Sequence, residues 1–346
     1  MRALDGQPRD RGPQPRLEVR LGPLRLKNPV VTAAGTFGYG REAAAFYDPG
    51  VLGAVTVKGL SLDPWPGNPP PRAVETPAGM LNAIGLQNPG VDHFIRHDLP
   101  WLRRFDVPVI ANVVGKTAAE YVEVARRLDA AGVDALELNV SCPNVEAGGL
   151  EFGRDPALAA SLVRAVRRVT RRPLLVKLSP EAPDLPGLAA AVLEAGADAL
   201  SLINTVRGAA VDVDAERPAL ATVTGGLSGP AIRPVAVRCI WEVYRHLRCP
   251  ILGMGGVASG RDAAELMLAG ASAVAVGTAA LVDPRAPVRV LEELAAILAA
   301  KGIPATALTG RAHPTETAGV EGAGPGGGSA AGPRAREHRG ERGVQA

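Results

Sequence analysis

The chain has 346 residues, 47% of them hydrophobic and 21% charged, a balance that excludes disorder as the dominant state and accommodates one large domain or two modest ones. Its formal net charge of +3 belongs to its ends: residues 1–16 hold four Arg against two Asp, and residues 311–346 hold five Arg against four Glu. The middle is neutral, so a nucleic-acid partner is not expected.

In chain order, residues 1–16 mix charges and prolines without a continuous apolar stretch, and read as a disordered extension and not as a secretory signal. Leu17–Arg20 and Leu24–Lys27 flank Gly22-Pro23 and read as a β-hairpin able to plug the bottom of a barrel. Eight strand-like runs follow, at 29–34, 54–58, 107–113, 135–141, 174–179, 199–205, 250–254 and 273–277. Helical patterns lie among them at 42–47, 92–105, 118–131, 156–170, 185–195, 230–247, 261–269 and 287–300. Nearly continuous apolar strands alternating with helices specify a covered parallel sheet. Eight such units favour closure into a (β/α)8 TIM barrel over residues 17–302, with an open doubly wound sheet as the alternative. Residues 303–346 read as a flexible tail: from Arg311 onward there is no aromatic residue, and Val320 and Val344 are its only large aliphatic side chains, too few to offset ordering entropy. No run of about 18 uninterrupted apolar residues occurs, so no membrane span is expected. Three cysteines without CxxC spacing fit a reducing cytoplasm.

In such a barrel the chemistry gathers at the carboxyl ends of the strands. Lys58, Asn112, Asn139, Lys177, Asn204 and Thr205 stand there. Strand alternation puts Glu137, Asn139 and Ser141 on the face opposite Leu136, Leu138 and Val140, and turns Lys177 inward between Val176 and Leu178. A buried ammonium is unfavourable by several kcal/mol without an anion, so two such lysines point to an anionic ligand, unless each snorkels or pairs with a carboxylate such as Glu137. Three glycine clusters, Gly225–Pro230 (GGLSGP), Gly253–Gly256 and Gly277-Thr278, let backbone N–H groups approach a phosphate. Turn-making is the alternative for any one of them alone.

The proline-rich crossover 60–91 has little helical pattern and reads as an unstructured loop of functional length. Its carboxamides Asn82, Gln87 and Asn88 suit a small ligand rich in imide or carboxylate groups, with turn and cap chemistry the alternative for Asn88. Cys142, just past the fourth strand, can act as a base if nearby cations favour its thiolate. Cys239 and Cys249 read as structural, and His93, His97 and His246 fall on helices without forming a metal cluster.

Asn139-Val140-Ser141-Cys142-Pro143-Asn144, GMLNAIGLQNPG (Gly79–Gly90), Lys177-Leu178-Ser179-Pro180, Ile203-Asn204-Thr205 and the glycine clusters together resemble the dihydroorotate dehydrogenase family, in order, from about Leu17 to Gly302. Cys142, where membrane-associated members carry serine, is similar to class 1, and the Gly79–Gly90 segment most resembles subclass 1B, the NAD-dependent catalytic subunit. The resemblance implies FMN across the barrel mouth, contacted by Ala34, Lys58, Gly59, Asn112, Asn139, Lys177, Ile203, Gly229, Gly255, Gly256, Gly277 and Thr278. It implies dihydroorotate held by Lys58, Asn82, Ala83, Ile84, Gly85, Leu86, Asn139, Asn204 and Thr205. Cys142 would be the general base, and hydride transfer to FMN would yield orotate for pyrimidine biosynthesis. Electrons would pass to NAD⁺ through a partner subunit carrying FAD and [2Fe–2S], around a homodimer core of a heterotetramer. Two residues depart from the family pattern: Ala34 where a serine is usual, and Glu181 where an asparagine is usual. A class 1A-like enzyme that uses fumarate without a partner is the alternative. A flavin-dependent dihydropyrimidine oxidoreductase fits the Lys58 and Asn82 positions less well. A non-catalytic barrel that binds a phosphorylated ligand is the alternative of another class.

Overall fold

Along β1 (Val19–Leu21) and β2 (Leu24–Leu26), alternation turns Val19, Leu21, Leu24 and Leu26 onto one buried face. The computed structural model describes residues 15–140 and 152–314. Gly22, in the turn, has φ +59°, and a Cβ there would stand 2.8 Å from the carbonyl oxygen of Asp198, the residue just before a barrel strand. Glycine therefore lets the hairpin close against the amino-terminal end of the barrel, the bottom position expected from sequence.

The chain then forms β3 (Val30–Thr32), β4 (Val55–Thr56), β5 (Ala73–Thr76), β6 (Gly79–Asn82), β7 (Val109–Val113), β8 (Ala135–Asn139), β9 (Leu174–Leu178) and β10 (Ala199–Leu202). After these come β11 (Val206–Ala209), a short pair β12 (Val211–Asp212) and β13 (Arg217–Pro218), β14 (Thr224–Ser228), β15 (Ile251–Met254) and β16 (Ala273–Val276). Eight of these strands pair in the order β3-β16-β15-β10-β9-β8-β7-β4, all in parallel. A parallel bridge between Val31 and Ala54 draws the two outer strands together. Thr32 stitches that seam: its hydroxyl accepts from Thr56 N–H at 2.9 Å and donates to Thr56 O at 3.2 Å. The result is the expected (β/α)8 barrel, nearly closed. Every residue of β7, β8 and β9 is buried, because one face meets the helices and the other the barrel interior.

The covering helices are α1 (Ala118–Ala131), α2 (Pro156–Arg167), α3 (Leu185–Glu194), α4 (Arg233–Leu247), α5 (Gly260–Ala269), the short α6 (Thr278–Val282) and α7 (Ala286–Lys301). Their starts are written locally: Thr117, Asp155, Asp184 and Ser259 each accept a backbone N–H from the first turn of α1, α2, α3 and α5, the usual N-cap chemistry. The helical segment between β6 and β7 contains a π-helical turn, Phe94–Asp98. The short helix expected at 42–47 is a single 3-10 turn, Ala43–Ala45, with no buried residue to anchor it. Among the described residues, no helix is long and apolar enough to cross a membrane.

Two expectations are corrected. The 60–91 crossover is not unstructured: β5 and β6 join β14 and β11 in a four-stranded antiparallel sheet, order β11-β14-β6-β5. The folded chain also continues past Gly302. Ala305 N–H donates to Arg16 O at 2.9 Å, and the buried His313 stacks on Trp241 with ring centroids 3.8 Å apart. The tail composition hid this because the aromatic partner comes from α4.

Candidate active site

The strand ends and the antiparallel sheet enclose a cleft of about 340 Å³, within the range of small-molecule sites. Each barrel strand sends residues to it from its last turn of chain: Ala34 after β3, Lys58 and Gly59 after β4, Asn112 on β7, Asn139 ending β8 and Lys177 on β9. Ile203, Asn204 and Thr205 follow β10, Gly255 and Gly256 follow β15, and Gly277 and Thr278 follow β16. From the antiparallel sheet and its flanks come Asn82, Ile84, Gly85, Leu86, Ser228 and Gly229. Residues scattered over 245 positions of sequence thus meet because a parallel barrel points all its strand ends one way.

Two cations face this cleft. Lys177 is 6% exposed and Lys58 is half-buried, and among the described residues neither ammonium has a hydrogen-bond or ion-pair partner. Burial, and then the charge of Arg72, hold Lys58 below the usual lysine range. Glu137 does not neutralise either lysine. Its carboxylate accepts instead from Asn112 Nδ2 at 2.6 Å and Ser201 Oγ at 2.5 Å, so the pairing that sequence left open is not made. The cleft therefore retains a demand for negative charge.

One end of the cleft is built from backbone donors. Gly255 and Gly256 have φ of +121° and +80°, which only glycine adopts without strain. Thr278 opens α6, and its Oγ1 donates to Ser228 Oγ at 2.8 Å. Among the described residues the N–H groups of Gly255, Gly256, Gly277 and Thr278 find no backbone carbonyl, leaving a row of donors for an anion.

A family profile for dihydroorotate dehydrogenase matches residues 16–298. The chain belongs to the dihydroorotate dehydrogenase family. A dihydroorotate dehydrogenase B (NAD(+)) catalytic subunit from Geobacter sp. (strain M21) is 54% identical over 287 residues, covering 83% of this chain and 94% of that protein. Proteins of the same name from Desulforudis audaxviator and Pelobacter propionicus are 54% identical over 299 residues and 56% identical over 274. They cover 86% and 79% of this chain, and 97% and 90% of their own lengths.

The dihydroorotate dehydrogenase family implies a flavin cofactor, and this cleft fits one: among the described residues it offers the donor row, two lysines without a partner, and a buried Asn112 Oδ1 without a partner. Ala34 lines the cleft, so the hydroxyl expected of a serine is missing, a difference of about 0.5 to 1.5 kcal/mol. The adjacent Thr36 hydroxyl donates to Ala33 O at 3.0 Å. Glu181, the second departure, uses its carboxylate to accept from Arg207 N–H at 2.7 Å, tying the loop after β9 to β11.

Of the residues grouped by sequence, Ala83 is not in the cleft. Its side chain packs with Leu81 and Leu220 in a small apolar cluster, its N–H donates to Arg72 O at 2.8 Å, and its carbonyl accepts from Asn68 Nδ2 at 2.9 Å. Nor do Gln87 and Asn88 line the cleft. Gln87 is exposed and accepts from Arg72, while buried Asn88 holds the crossover to Ser61 and Gly90. Cys142 lies outside the described residues, three positions beyond the end of β8. Burial pushes the Cys239 and Cys249 thiols up to about 11, which suits the structural role expected of them. Ser228 and Met80 are lining residues that sequence reasoning did not assign. Ser228 was within reach, since it sits inside the GGLSGP cluster. Met80 becomes visible only once β6 is seen to pair with β14.

Proposed function

We propose that this chain is the catalytic subunit of an NAD-dependent dihydroorotate dehydrogenase that oxidises (S)-dihydroorotate to orotate in pyrimidine biosynthesis. The observation that carries the reading is the pair of lysines, unpaired among the described residues, in a donor-rich cleft of a family member. FMN would be the cofactor, supplying the acceptor for a hydride leaving substrate C6. Gly255, Gly256, Gly277 and Thr278, with Gly229 close by, would hold its phosphate through backbone N–H groups. Ala34, Gly59, Asn112, Asn139 and Ile203 would line its ring, with Lys177 as the fixed positive charge beside it.

Lys58 would bind the substrate carboxylate, and Asn82, Asn139, Asn204, Thr205 and the backbone of 84–86 the ring amides. Cys142 would take the C5 proton. As that C–H bond breaks and hydride leaves C6, the C5–C6 double bond of orotate forms, so two electrons leave the substrate with one proton to the thiolate. The relatives are named NAD(+) catalytic subunits, which favours NAD⁺ as final acceptor through a separate subunit carrying FAD and [2Fe–2S], around a homodimer core in the cytoplasm.

Two comparisons test this reading. After anaerobic reduction by dihydroorotate, NAD⁺ is expected to restore flavin absorbance only when the copurifying subunit is present, and fumarate is expected to leave it bleached; reoxidation by fumarate alone would move the chain to the partner-free alternative. Cys142→Ala should retain FMN and lose orotate formation, and near-normal turnover would remove Cys142 from the base role.

A further inference from the structure

Glu137 has no exposed surface and does not line the cleft, whereas Asn112, its register partner on β7, does. The carboxylate sits in the barrel interior between two neutral donors, Asn112 Nδ2 at 2.6 Å and Ser201 Oγ at 2.5 Å. A carboxylate only accepts hydrogen bonds, so the end of the Asn112 amide turned toward it must be the NH2 group, and the oxygen must turn away. Among the described residues that oxygen is buried without a partner, in a residue 1% exposed. A buried carbonyl oxygen left unsatisfied is unfavourable, and a ligand that donates to it removes the penalty.

We propose that Glu137 is a positioning residue that locks the Asn112 amide so that the cleft presents a carbonyl acceptor, thereby selecting a bound group that offers an N–H donor. On the flavin reading, on which this inference rests, that group is the imide N–H of the isoalloxazine ring. A glutamine at 137 would satisfy Ser201 and Asn112 in either amide orientation. It would thereby release Asn112 to turn NH2 or oxygen into the cleft, although size and packing barely change. Ser201 shares the carboxylate but does not orient Asn112, so its removal disturbs the same buried group without releasing the lock.

The test is a double-mutant cycle on FMN affinity, read from flavin fluorescence quenching by the full-length apoprotein, with melting curves to confirm folding. Asn112→Ala is expected to weaken FMN by about 5- to 10-fold, the equivalent of one neutral hydrogen bond, and Glu137→Gln by about twofold, the cost of selecting one of two equally satisfied amide orientations. Added to Asn112→Ala, the Glu137→Gln change is expected to have no further effect, because its influence passes through the amide. Ser201→Ala should bind FMN as the wild type does, since hydrogen-bond loss at a shared acceptor leaves the lock intact. Additive losses, wild-type affinity in Glu137→Gln, or a loss in Ser201→Ala as large as in Asn112→Ala would each overturn the proposal. The Ser201→Ala comparison stands even if Glu137→Gln does not fold. If the wild-type protein itself fails to bind FMN, the flavin reading is the part that has failed.

Discussion

Lys58 sits in the cleft with its charge opposed by burial and by the Arg72 guanidinium, so its folded pKa lies below the ordinary 10.5. Between the two values the unfolded chain keeps a proton that the folded chain has released. Stability contributed by this group therefore rises with pH across that interval, and the penalty is fully present below it. Lys58→Met is expected to raise the melting temperature of the ligand-free protein at neutral pH, by a margin that shrinks as pH climbs toward 10.5. The same change should weaken orotate binding by about 10- to 100-fold, the range for a charge-assisted hydrogen bond. Equal melting at every pH together with unchanged orotate affinity would contradict the role of Lys58 as the cation awaiting an anion. At this scale the sequence was informative, because strand alternation alone turns Lys177 and Asn139 inward. It misled where a motif was read as a block: Ala83 lies between cleft residues Asn82 and Ile84, yet its side chain faces the cluster with Leu220.

The elements that shape the cleft differ in how much of them local sequence shows. Barrel strands and capped helices announce themselves through apolar runs and N-cap residues such as Thr117 and Ser259. The sheet over the mouth does not, because Asn82 on β6 meets Gly226 on β14 across 144 positions of sequence, and a glycine-rich strand such as β14 lacks the usual β-forming side chains. Asn88 holds this crossover in place. Its Oδ1 accepts from Ser61 N–H at 3.2 Å and Gly90 N–H at 2.9 Å, and its Nδ2 donates to Leu86 O at 2.9 Å. Asn88→Ala leaves those two buried N–H groups unpaired and is expected to reduce unfolding free energy by about 2 to 4 kcal/mol. Denaturant unfolding measures this directly, and a loss under about 1 kcal/mol would show that the crossover does not depend on Asn88.

For the molecule as a whole, periodicity counted eight barrel strands correctly, since each is short and buried and most are followed by a covering helix, although β3 is followed only by 3-10 turns and β4 by the β5–β6 hairpin. It could not see that the stretch after Gly302 folds back, because His313 gains its partner from Trp241 on α4 and not from its own neighbours. The net charge, once located, bears only on the ends; inside the barrel the cations that line the cleft are Lys58 and Lys177, two of five lysines in the chain. Both stand at strand ends around one cleft, and on the proposed function a flavin with a small carboxylate would account for both. The most direct measurement is anaerobic mixing of the FMN-loaded chain with dihydroorotate while flavin absorbance and orotate are followed together. Bleaching with one orotate formed per flavin is the expected result; a flavin that stays oxidised although dihydroorotate binds would contradict the assignment.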